Sequence, residues 1–434
     1  MTEPDPALEA PRIRRNWLFA ALALAAICAA ILLTGSDPSE VERRFAGRWH
    51  FRSVLLALAT GWHAVVCLVA AISSKFGARL FAATLVGALT VGLLELAGLA
   101  RVVDYDRLFA TRHGEILGSQ PVPNADVAGT TWEDTASSWG LPTQPIAFRF
   151  KTDRRGYRNE TDRDAADVYL LGDSCLVGAL VPFEHTLCGR LEATLKRPVM
   201  NVALIAIGVQ AERDRFKAAN LDVKDRLVLQ FVFEGNDQSD SAAYRERESS
   251  AAVAPAARPR GSTFTWNLLM KLQKKLDPVE PISRRRTGTI AGTTYTFFWT
   301  AEQFRGREGE IPHILAALAD TRRLVEAGGG RYAVVVIPDK IRILGPLCEW
   351  PAGSELTDWR AHCSPLPQAV TNWSAEQEVS VLDLTKTLAA SAAAGRIPWF
   401  PGDTHWNATG HEVAAEAVAR WIESLPALKP EGRR

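Results

Sequence analysis

Three polar clusters along the chain contain side chains that could perform acyl-transfer chemistry. Ser174 ends the triplet Gly-Asp-Ser directly after an apolar run. A serine hydroxyl needs a neighbouring base to act as a nucleophile at neutral pH. His405 is the candidate base, and Asp403, two residues before it, can orient the imidazole and stabilise its charged form. This combination predicts a Ser–His–Asp catalytic triad.

Two further residues are candidates for binding the oxyanion that such a reaction forms. Gly208 follows the apolar run 199–207 and can offer its backbone N–H, and Asn236, in Gly-Asn-Asp after another apolar run, can offer its side-chain amide. Preorganised N–H donors of this kind stabilise a tetrahedral intermediate. Each cluster also has a purely structural explanation, as a turn, a helix cap or a packed histidine. The order of all the clusters along the chain favours the catalytic interpretation.

The elements that must position these residues alternate between apolar strands and amphipathic helices from residue 167 onwards. This alternation indicates a parallel, doubly wound sheet with helices on both faces. Reactive groups in such sheets lie at the carboxyl ends of strands, which is where Ser174 and Asn236 occur. The predicted strands are 168–171, 199–207, 226–233, 332–337 and 379–384, and the predicted helices are 186–196, 210–220, 312–327 and 407–424.

The first hundred residues are far more apolar than the rest of the chain. Three runs with little or no charge, 17–34, 53–74 and 80–100, each have about the ~20 residues that cross a ~30 Å hydrocarbon core. Because backbone groups in lipid must be paired within their own segment, we expect three transmembrane helices. A cleaved signal peptide is the alternative for the first run, and a buried soluble hairpin is the alternative for the other two.

These patterns divide the chain into a membrane anchor over residues 1–104, a linker over 105–147, an α/β domain over 148–424 with an insertion at 238–300, and a tail over 425–434. Three spans with a cytoplasmic N-terminus would place the α/β domain on the extracytoplasmic side of the cytoplasmic (inner) membrane. The loop between the first two spans is rich in arginine, against the positive-inside tendency, so this orientation is preferred on functional grounds.

The composition excludes several classes of protein and ligand. The 434 residues carry a formal net charge of +1, without the basic excess of a nucleic-acid binder, so no nucleic-acid partner is expected. Neither HExxH nor paired CxxC spacing occurs, so we predict no metal and no cofactor. Six cysteines are too few for a disulfide scaffold. Cys348 and Cys363 nevertheless flank a loop of polar, Pro and Gly residues, and we predict a disulfide between them in an oxidising compartment.

Taken together, the polar clusters resemble the four sequence blocks of the SGNH, or GDSL, hydrolase superfamily over about residues 148–424. The resemblance implies a flavodoxin-like, three-layer α/β/α domain with a parallel sheet. It implies the following roles: Ser174 as nucleophile, His405 and Asp403 as the base pair, the Ser174 N–H with Gly208 and Asn236 as the oxyanion hole, and Asp173, Asp237 and Lys340 as supporting residues.

Two spacings differ from the usual pattern of that superfamily. Gly235 is adjacent to Asn236 instead of one residue away, and a single residue instead of two separates Asp403 from His405. The Asp-x-His spacing followed by Trp-Asn resembles the branch that contains alginate O-acetyltransferase-like proteins. The sequence Ile-Pro-Asp-Lys that ends at Lys340 resembles the same branch.

The function expected from these features is a membrane-anchored serine acyltransferase or esterase. Its substrates would be O-acyl groups, O-acetyl above all, of an envelope or exported polysaccharide, and a membrane protein is a candidate acyl donor. The expected partners are therefore the lipid bilayer and an acyl-ester or polysaccharide substrate. Two alternatives stay open, a hydrolase of lipids or small esters and a non-catalytic, glycan-binding subunit of a polysaccharide assembly complex.

Overall fold

The structure is a computed structural model of the chain. It describes residues 6–34, 44–45, 49–100, 102–103, 105, 122–139, 141–253, 263–265, 268, 286–301, 304 and 306–425. The chain divides into two compact units, one formed by residues 1–111 with 258–280 and the other by residues 112–257 with 281–434.

The first unit contains three long apolar helices, α1 (Pro6–Thr34), α2 (Phe51–Ile72) and α3 (Ser74–Leu99), with a short antiparallel pair, β1 (Arg44–Phe45) and β2 (Trp49–His50), before α2. By length and composition, Pro11–Thr34, Ser53–Ile72 and Ser74–Leu99 are each able to cross a membrane. Helices α2 and α3 are separated by Ser73 alone, so the third apolar helix begins at Ser74 rather than at residue 80. Lys75 therefore lies in the first turn of α3.

The second unit contains the remaining elements. In chain order they are β3 (Asp126–Trp132), α4 (Asp134–Ser138), β4 (Pro145–Lys151), β5 (Val168–Leu171), α5 (Ser174–Val177), α6 (Leu187–Leu195), β6 (Val199–Asn201), α7 (Val209–Ala219), β7 (Leu227–Phe233), α8 (Asp237–Val253), β8 (Thr287–Ile290), β9 (Thr293–Thr296), α9 (Ile311–Ala327), β10 (Arg331–Ile337), α10 (Lys340–Leu344), α11 (Leu366–Glu376), β11 (Ser380–Asp383), α12 (Thr385–Ala393) and α13 (Ala408–Ser424).

A five-stranded parallel sheet forms the centre of this unit, in the order β6-β5-β7-β10-β11. Numbered along the chain this is 2-1-3-4-5, the order of the flavodoxin-like fold. Alternate residues of each strand face opposite layers, since Leu170 packs into one apolar core and Tyr169 into the other. Helices α6, α12 and α13 line the first core, and α7, α9 and α11 line the second. The predicted three-layer α/β/α domain is confirmed.

The second strand, β6, has three residues instead of the predicted nine. The side-chain oxygen Oδ1 of Asn201 accepts a hydrogen bond from the N–H of Ala203 at 2.8 Å. Side-chain bonds to nearby backbone groups offer the chain an alternative to the ladder of a sheet. Ala206, a little further on, has a positive φ of 55°. The chain therefore leaves the sheet early and reaches Gly208 as a loop.

Two segments outside the sheet have structure of their own. Part of the predicted linker forms an antiparallel pair, β3 with β4, and helix α4 lies between the two strands. In the predicted insertion, α8 continues from Asp237 and an antiparallel hairpin, β8 with β9, follows later. Residues 254–262 and 269–285 of that insertion, and residues 426–434 of the tail, lie outside the described part of the chain.

Candidate active site

Ser174 lies at the carboxyl end of β5, at the sheet position that the sequence predicted. Asp173 caps the short helix α5, because its side chain accepts a hydrogen bond from the N–H of Cys175 at 2.9 Å. The helix ends at Gly178, whose φ of 61° suits glycine, and a Cβ there would lie 2.9 Å from the ring of His411. This tight strand–turn–helix leaves Ser174 partly exposed at the edge of the sheet.

His405 and Asp403 lie together in the loop before α13. Asn407 caps that helix, because its Oδ1 accepts from the N–H of Gly410 at 3.1 Å. The Asn407 amide in turn donates to the carbonyls of Ile397 and Trp399. Trp406 is 1% exposed. The Trp-Asn that follows His405 thus fixes the end of the loop, which explains the pattern noticed in the sequence.

The structure brings the three predicted triad residues into one hydrogen-bonded chain. His405 Nε2 lies 2.9 Å from Ser174 Oγ, and His405 Nδ1 lies 2.6 Å from Asp403 Oδ1. The backbone N–H of His405 donates to the same carboxylate oxygen at 2.9 Å. Distances of this size allow proton transfer from the hydroxyl to the imidazole while the carboxylate holds the ring.

Charges around the imidazole favour its protonated form. Burial by itself disfavours the imidazolium, but the neighbouring carboxylates of Asp403, Asp134 and Asp173 outweigh burial and raise the pKa of His405 to about 9. Asp403 is 1% exposed, and burial alone would raise its pKa. The positive charge and hydrogen bond of His405, with the N–H of Asp134, lower the pKa of Asp403 instead. When His405 accepts a proton, its imidazolium and the carboxylate of Asp403 therefore stabilise each other.

Lys340 braces the loop that carries His405 and Asp403. This lysine is the first residue of α10, and its Nζ donates to the carbonyls of Phe400, Pro401 and Asp403 at 2.9, 2.8 and 3.0 Å. The side chain is buried, and burial lowers the pKa of Lys340 to about 8 even though Asp403 and Asp134 oppose the change. Three carbonyls held by one ammonium fix the path of the loop that carries Asp403 and His405.

The two predicted oxyanion donors border the same residue, Asp240. Asn236 Nδ2 donates to Asp240 Oδ2 at 3.0 Å, and a Cβ on Gly208 would lie only 2.8 Å from Asp240 Cβ. Burial, together with the charge of Asp173, raises the pKa of Asp240 to about 6. Gly208 must be glycine because no side chain fits there, and its position at the start of α7 gives its N–H no partner within that helix.

Two of the predicted supporting residues have structural contacts. Asp173 caps α5 as described. Burial raises the pKa of its carboxyl group, although the neighbouring His405 and Asn236 act in the opposite direction. Asp237 Oδ2 accepts from the N–H of Phe233 at 2.8 Å, which closes the turn after β7. Burial also raises the pKa of Asp237. Both carboxyls therefore shape the turns that carry Ser174 and Asn236.

Two contributions to the site were missed in the sequence. Arg158 is 2% exposed, and its guanidinium donates to the carbonyls of Val177 and Val181 at 2.8 and 2.6 Å, so it holds the turn after Ser174. Asp134 of α4 contacts the loop that carries Asp403 and His405, with its Oδ2 3.9 Å from His405 Nδ1. Neither residue stands in a recognisable motif, and the contacts with the loop are between residues far apart in the chain.

Among the described residues, one group of two carboxylates and an imidazole is compact enough to be considered as a metal site. Asp134, Asp403 and His405 place one ligand atom each within 4.8 Å of one another. Within that cluster, His405 Nδ1 and Asp403 Oδ1 already form the short hydrogen bond of the triad. His405 Nδ1 and Asp403 Oδ1 are therefore already bonded to each other in the chain that leads to Ser174.

The predicted disulfide between Cys348 and Cys363 is wrong in this structure, in which both are free thiols. Each sulfur has its own surroundings, since Cys363 Sγ lies 3.7 Å from the carbonyl of Trp359 and Cys348 Sγ packs beside Gly288. Both cysteines pack against the first apolar core. Burial raises the pKa of each thiol to about 12. Packing of separate thiols therefore explains these two cysteines.

Comparisons with known proteins relate part of this unit to a known family. The family of the SGNH hydrolase-like domain of the acetyltransferase AlgX matches residues 291–434, which include Lys340, Asp403 and His405. The chain matches no curated protein sequence. Solved structures that it resembles include a protein of the G-D-S-L family from Desulfitobacterium hafniense DCB-2, with 14% identity, a TM-score of 0.32 and coverage of 58% of this chain and 97% of that one.

Two further solved structures resemble the chain at a similar level. One is the lipase/acylhydrolase from Enterococcus faecalis, with 15% identity, a TM-score of 0.29 and coverage of 61% of this chain and 98% of that one. The other is the acetyl xylan esterase AlAXEase, with 9% identity, a TM-score of 0.32 and coverage of 59% and 99%. The strand order and the family match, rather than these distant likenesses, identify the fold. Over residues 291–434 the chain is similar to the SGNH hydrolase-like domain of the acetyltransferase AlgX, and its α/β unit has an SGNH-like fold.

Proposed function

We propose that this protein is a membrane-anchored serine acyltransferase or esterase that acts on O-acyl groups, O-acetyl above all, of an envelope or exported polysaccharide. The observation that carries the proposal is the hydrogen-bonded chain from Ser174 Oγ through His405 to Asp403, with distances of 2.9 and 2.6 Å. A packed histidine or a helix cap alone would not require a serine hydroxyl at the other ring nitrogen.

The reaction begins when Ser174 Oγ attacks the ester carbonyl and His405 Nε2 takes the hydroxyl proton. The C–O bond to serine forms, and the carbonyl electron pair becomes an oxyanion. The N–H groups of Ser174 and Gly208 and the amide of Asn236 bind this oxyanion. For this role the Asn236 amide, which donates to Asp240, turns toward the substrate.

The tetrahedral intermediate then collapses to an acyl-serine, and His405 returns the proton to the departing alkoxide. In the second half of the reaction His405 deprotonates the acceptor, and the acyl group leaves Ser174 for that acceptor. Water as acceptor makes the protein an esterase, and a carbohydrate hydroxyl makes it a transferase. The match to the domain of an acetyltransferase supports an acetyl group as the cargo.

A row of three aromatic rings supports a carbohydrate as the substrate. Trp139, which ends α4, stacks on Phe298 with ring centroids 6.5 Å apart, and Phe298 meets Trp299 edge-on at 4.8 Å. Trp299 lies against Gly235, because a Cβ on that glycine would be 2.7 Å from its ring. The row thus joins the element that contacts His405 to the residue before Asn236. Phe298 is 39% exposed and can offer its ring to a sugar.

The proposed location is the cytoplasmic (inner) membrane, with the catalytic domain on the extracytoplasmic side. Three apolar helices before the domain support anchoring, and three crossings from a cytoplasmic N-terminus lead to the outer side. An exported polysaccharide is accessible on that side, and a membrane protein would have to bring the acyl group across. Fusions of alkaline phosphatase after residue 105 test the orientation, since the enzyme is active only outside the cytoplasm.

The test of catalysis uses the full chain in detergent micelles with Ser174→Ala and the matched control Ser380→Ala, which changes an exposed serine. We expect Ser174→Ala to lose at least a thousandfold in the release of acetate from acetylated oligosaccharides, while Ser380→Ala behaves as wild type. Acetyl esters cleaved equally well by wild type and Ser174→Ala would refute the proposal. Turnover of lipid esters alone would favour the lipid hydrolase, and glycan binding without turnover would favour the non-catalytic subunit.

A further inference from the structure

Asp403 receives hydrogen bonds from two different parts of the chain. Its Oδ1 faces the ring and backbone N–H of His405, as described. Its Oδ2 accepts from the backbone N–H of Asp134 at 2.7 Å, a contact between residues 269 positions apart. A catalytic carboxylate buried to this degree needs both oxygens satisfied. Asp134 therefore supplies the donor that the catalytic loop itself does not.

The Asp134 side chain returns to the same loop. Its Oδ1 accepts from the N–H of Thr404 at 3.3 Å, and its Oδ2 accepts from the Thr404 hydroxyl at 3.1 Å. The same Oδ2 lies 3.9 Å from His405 Nδ1. A second negative charge thus stands beside the imidazole, on the residue that also completes the hydrogen bonds of Asp403.

The segment that carries Asp134 is fixed to the loop at a second point. The N–H of Gly402 donates to Glu133 Oε1 at 2.9 Å, and the carbonyl of Gly402 accepts from the N–H of Ala136 at 2.8 Å. A Cβ on Gly402 would lie 2.4 Å from Ala136 Cβ, so the two segments are in close contact. Helix α4 is therefore held against the loop independently of Asp134.

We propose that Asp134 is a positioning residue for the base, which orients Asp403 through its backbone N–H and stabilises the protonated form of His405 through its carboxylate. This inference rests on the proposed function, because it assigns to His405 the role of base. Asp134 lies in the segment between β3 and β4, whereas the three triad residues lie at the carboxyl edge of the sheet.

Several titratable groups face His405, and the effect of Asp134 must be separated from theirs. They are Asp403 in the same loop, Asp173 before α5, His411 in α13 and Lys340 in α10, which reaches the Asp403 carbonyl. His411 is buried, and burial lowers its pKa to about 3, so it is neutral. The side chain of Asp134 is 48% accessible, while burial of its carboxyl group and the charge of Asp403 raise its pKa.

The experiment uses Asp134→Asn in the full chain in detergent, because this change keeps the backbone N–H and the shape but removes the charge. A unit charge 3.9 Å away is worth about one pKa unit even in a water-like dielectric. We therefore expect the acidic limb of kcat/KM for an acetyl ester to move down by about one pH unit. A merely structural contact would lower the rate without moving the limb.

Two control variants distinguish these effects. Thr404→Val removes the hydroxyl that donates to Asp134 without changing any charge, so it should lower kcat and leave the limb in place. Asp126→Asn removes an exposed carboxylate of β3 that pairs with Arg149 instead, and it should change neither quantity.

A titration of the His405 ring by NMR gives a second readout that does not need turnover. The ring signal is assigned by its loss in His405→Gln, and its midpoint should fall by about one unit in Asp134→Asn. An unchanged midpoint in folded Asp134→Asn overturns the inference, whether or not esters are cleaved. A lowered midpoint supports it. Absence of turnover in wild type together with a lowered midpoint would refute the proposed function and leave the stabilisation of imidazolium by Asp134 standing.

Discussion

Replacing Lys340 by methionine is expected to loosen the catalytic loop by an amount that the structure allows to be worked out. The variant removes three hydrogen bonds, from Nζ to the carbonyls of Phe400, Pro401 and Asp403. Bonds of this charge-assisted kind contribute about 1.5–3 kcal/mol each. Against this, the pKa of Lys340 falls from 10.5 to about 8, so burial, after its partial offset by Asp403 and Asp134, disfavours the ammonium by about 3 kcal/mol. The net loss of stability is therefore on the order of 3 kcal/mol.

A loss of this size should lower the Tm of the domain by about 6–12 °C, measured by near-UV circular dichroism of the full chain in detergent. The ester turnover should fall at least tenfold, because the base is carried by the loosened loop. The control is Lys217→Met at an exposed position of α7, which should change the Tm by less than 2 °C.

The dependence on pH provides a second check of the Lys340 prediction. The folded protein releases the lysine proton at about pH 8 and the unfolded chain releases it at 10.5. The free energy of unfolding of wild type therefore increases as the pH rises between those values. Lys340→Met lacks this gain, so the difference in Tm should be larger at pH 10 than at pH 7. If the variant matches Lys217→Met in Tm and wild type in turnover, the assignment of Lys340 as the brace of the loop is wrong.

Three other outcomes follow from the site. The base must be neutral to act, so kcat/KM of wild type should rise about fiftyfold from pH 7 to 9, and a plateau near pH 6.5 would contradict the raised pKa of His405. The stability that this shift contributes is complete below pH 6.5 and is lost as the pH passes about 9. Gly208→Ala should lower turnover at least tenfold by pressing on Asp240, while an unchanged rate would remove Gly208 from the oxyanion hole. Alkylation without reductant, followed by mass spectrometry, should modify Cys348 and Cys363 after unfolding and only slowly before it, because their thiol pKa values are about 12; protection of both after unfolding would reinstate the disulfide.

Ser174 and Asn236 could be predicted from sequence because they lie at strand ends, whereas Asp403 and His405 were predicted from their spacing before the last helix. Ser174 and Asn236 follow buried apolar runs, and the parallel sheet brings such ends to one edge. The strands of the sheet and the helices that cover it were also predictable, because their apolar periodicity is a local property of the sequence. The length of β6 was not, because it depends on one side chain, Asn201, that competes with the ladder.

The contacts that hold the triad were beyond sequence reasoning. Glu133 and Asp134 look like ordinary acids of a connecting segment until the chain folds, and their partners are 269 residues away. Arg158 stands in a basic run in which no single arginine is distinguished. Lys340 could be suspected from its Ile-Pro-Asp-Lys motif, but the three carbonyls that it binds became known only with the path of the loop.

The separation of nucleophile and base along the chain has a consequence for the timing of biosynthesis. Ser174 precedes His405 by 231 residues. Asp134 and Lys340, which position the loop of the base, are also synthesised before His405. At roughly 5–20 residues per second, translation produces the base about 10–50 s after the nucleophile. Throughout that interval the serine is an ordinary alcohol. On the proposed mechanism, a ribosome-bound or prematurely terminated chain that lacks His405 has no base, and acyl transfer is restricted to chains whose synthesis has passed residue 405.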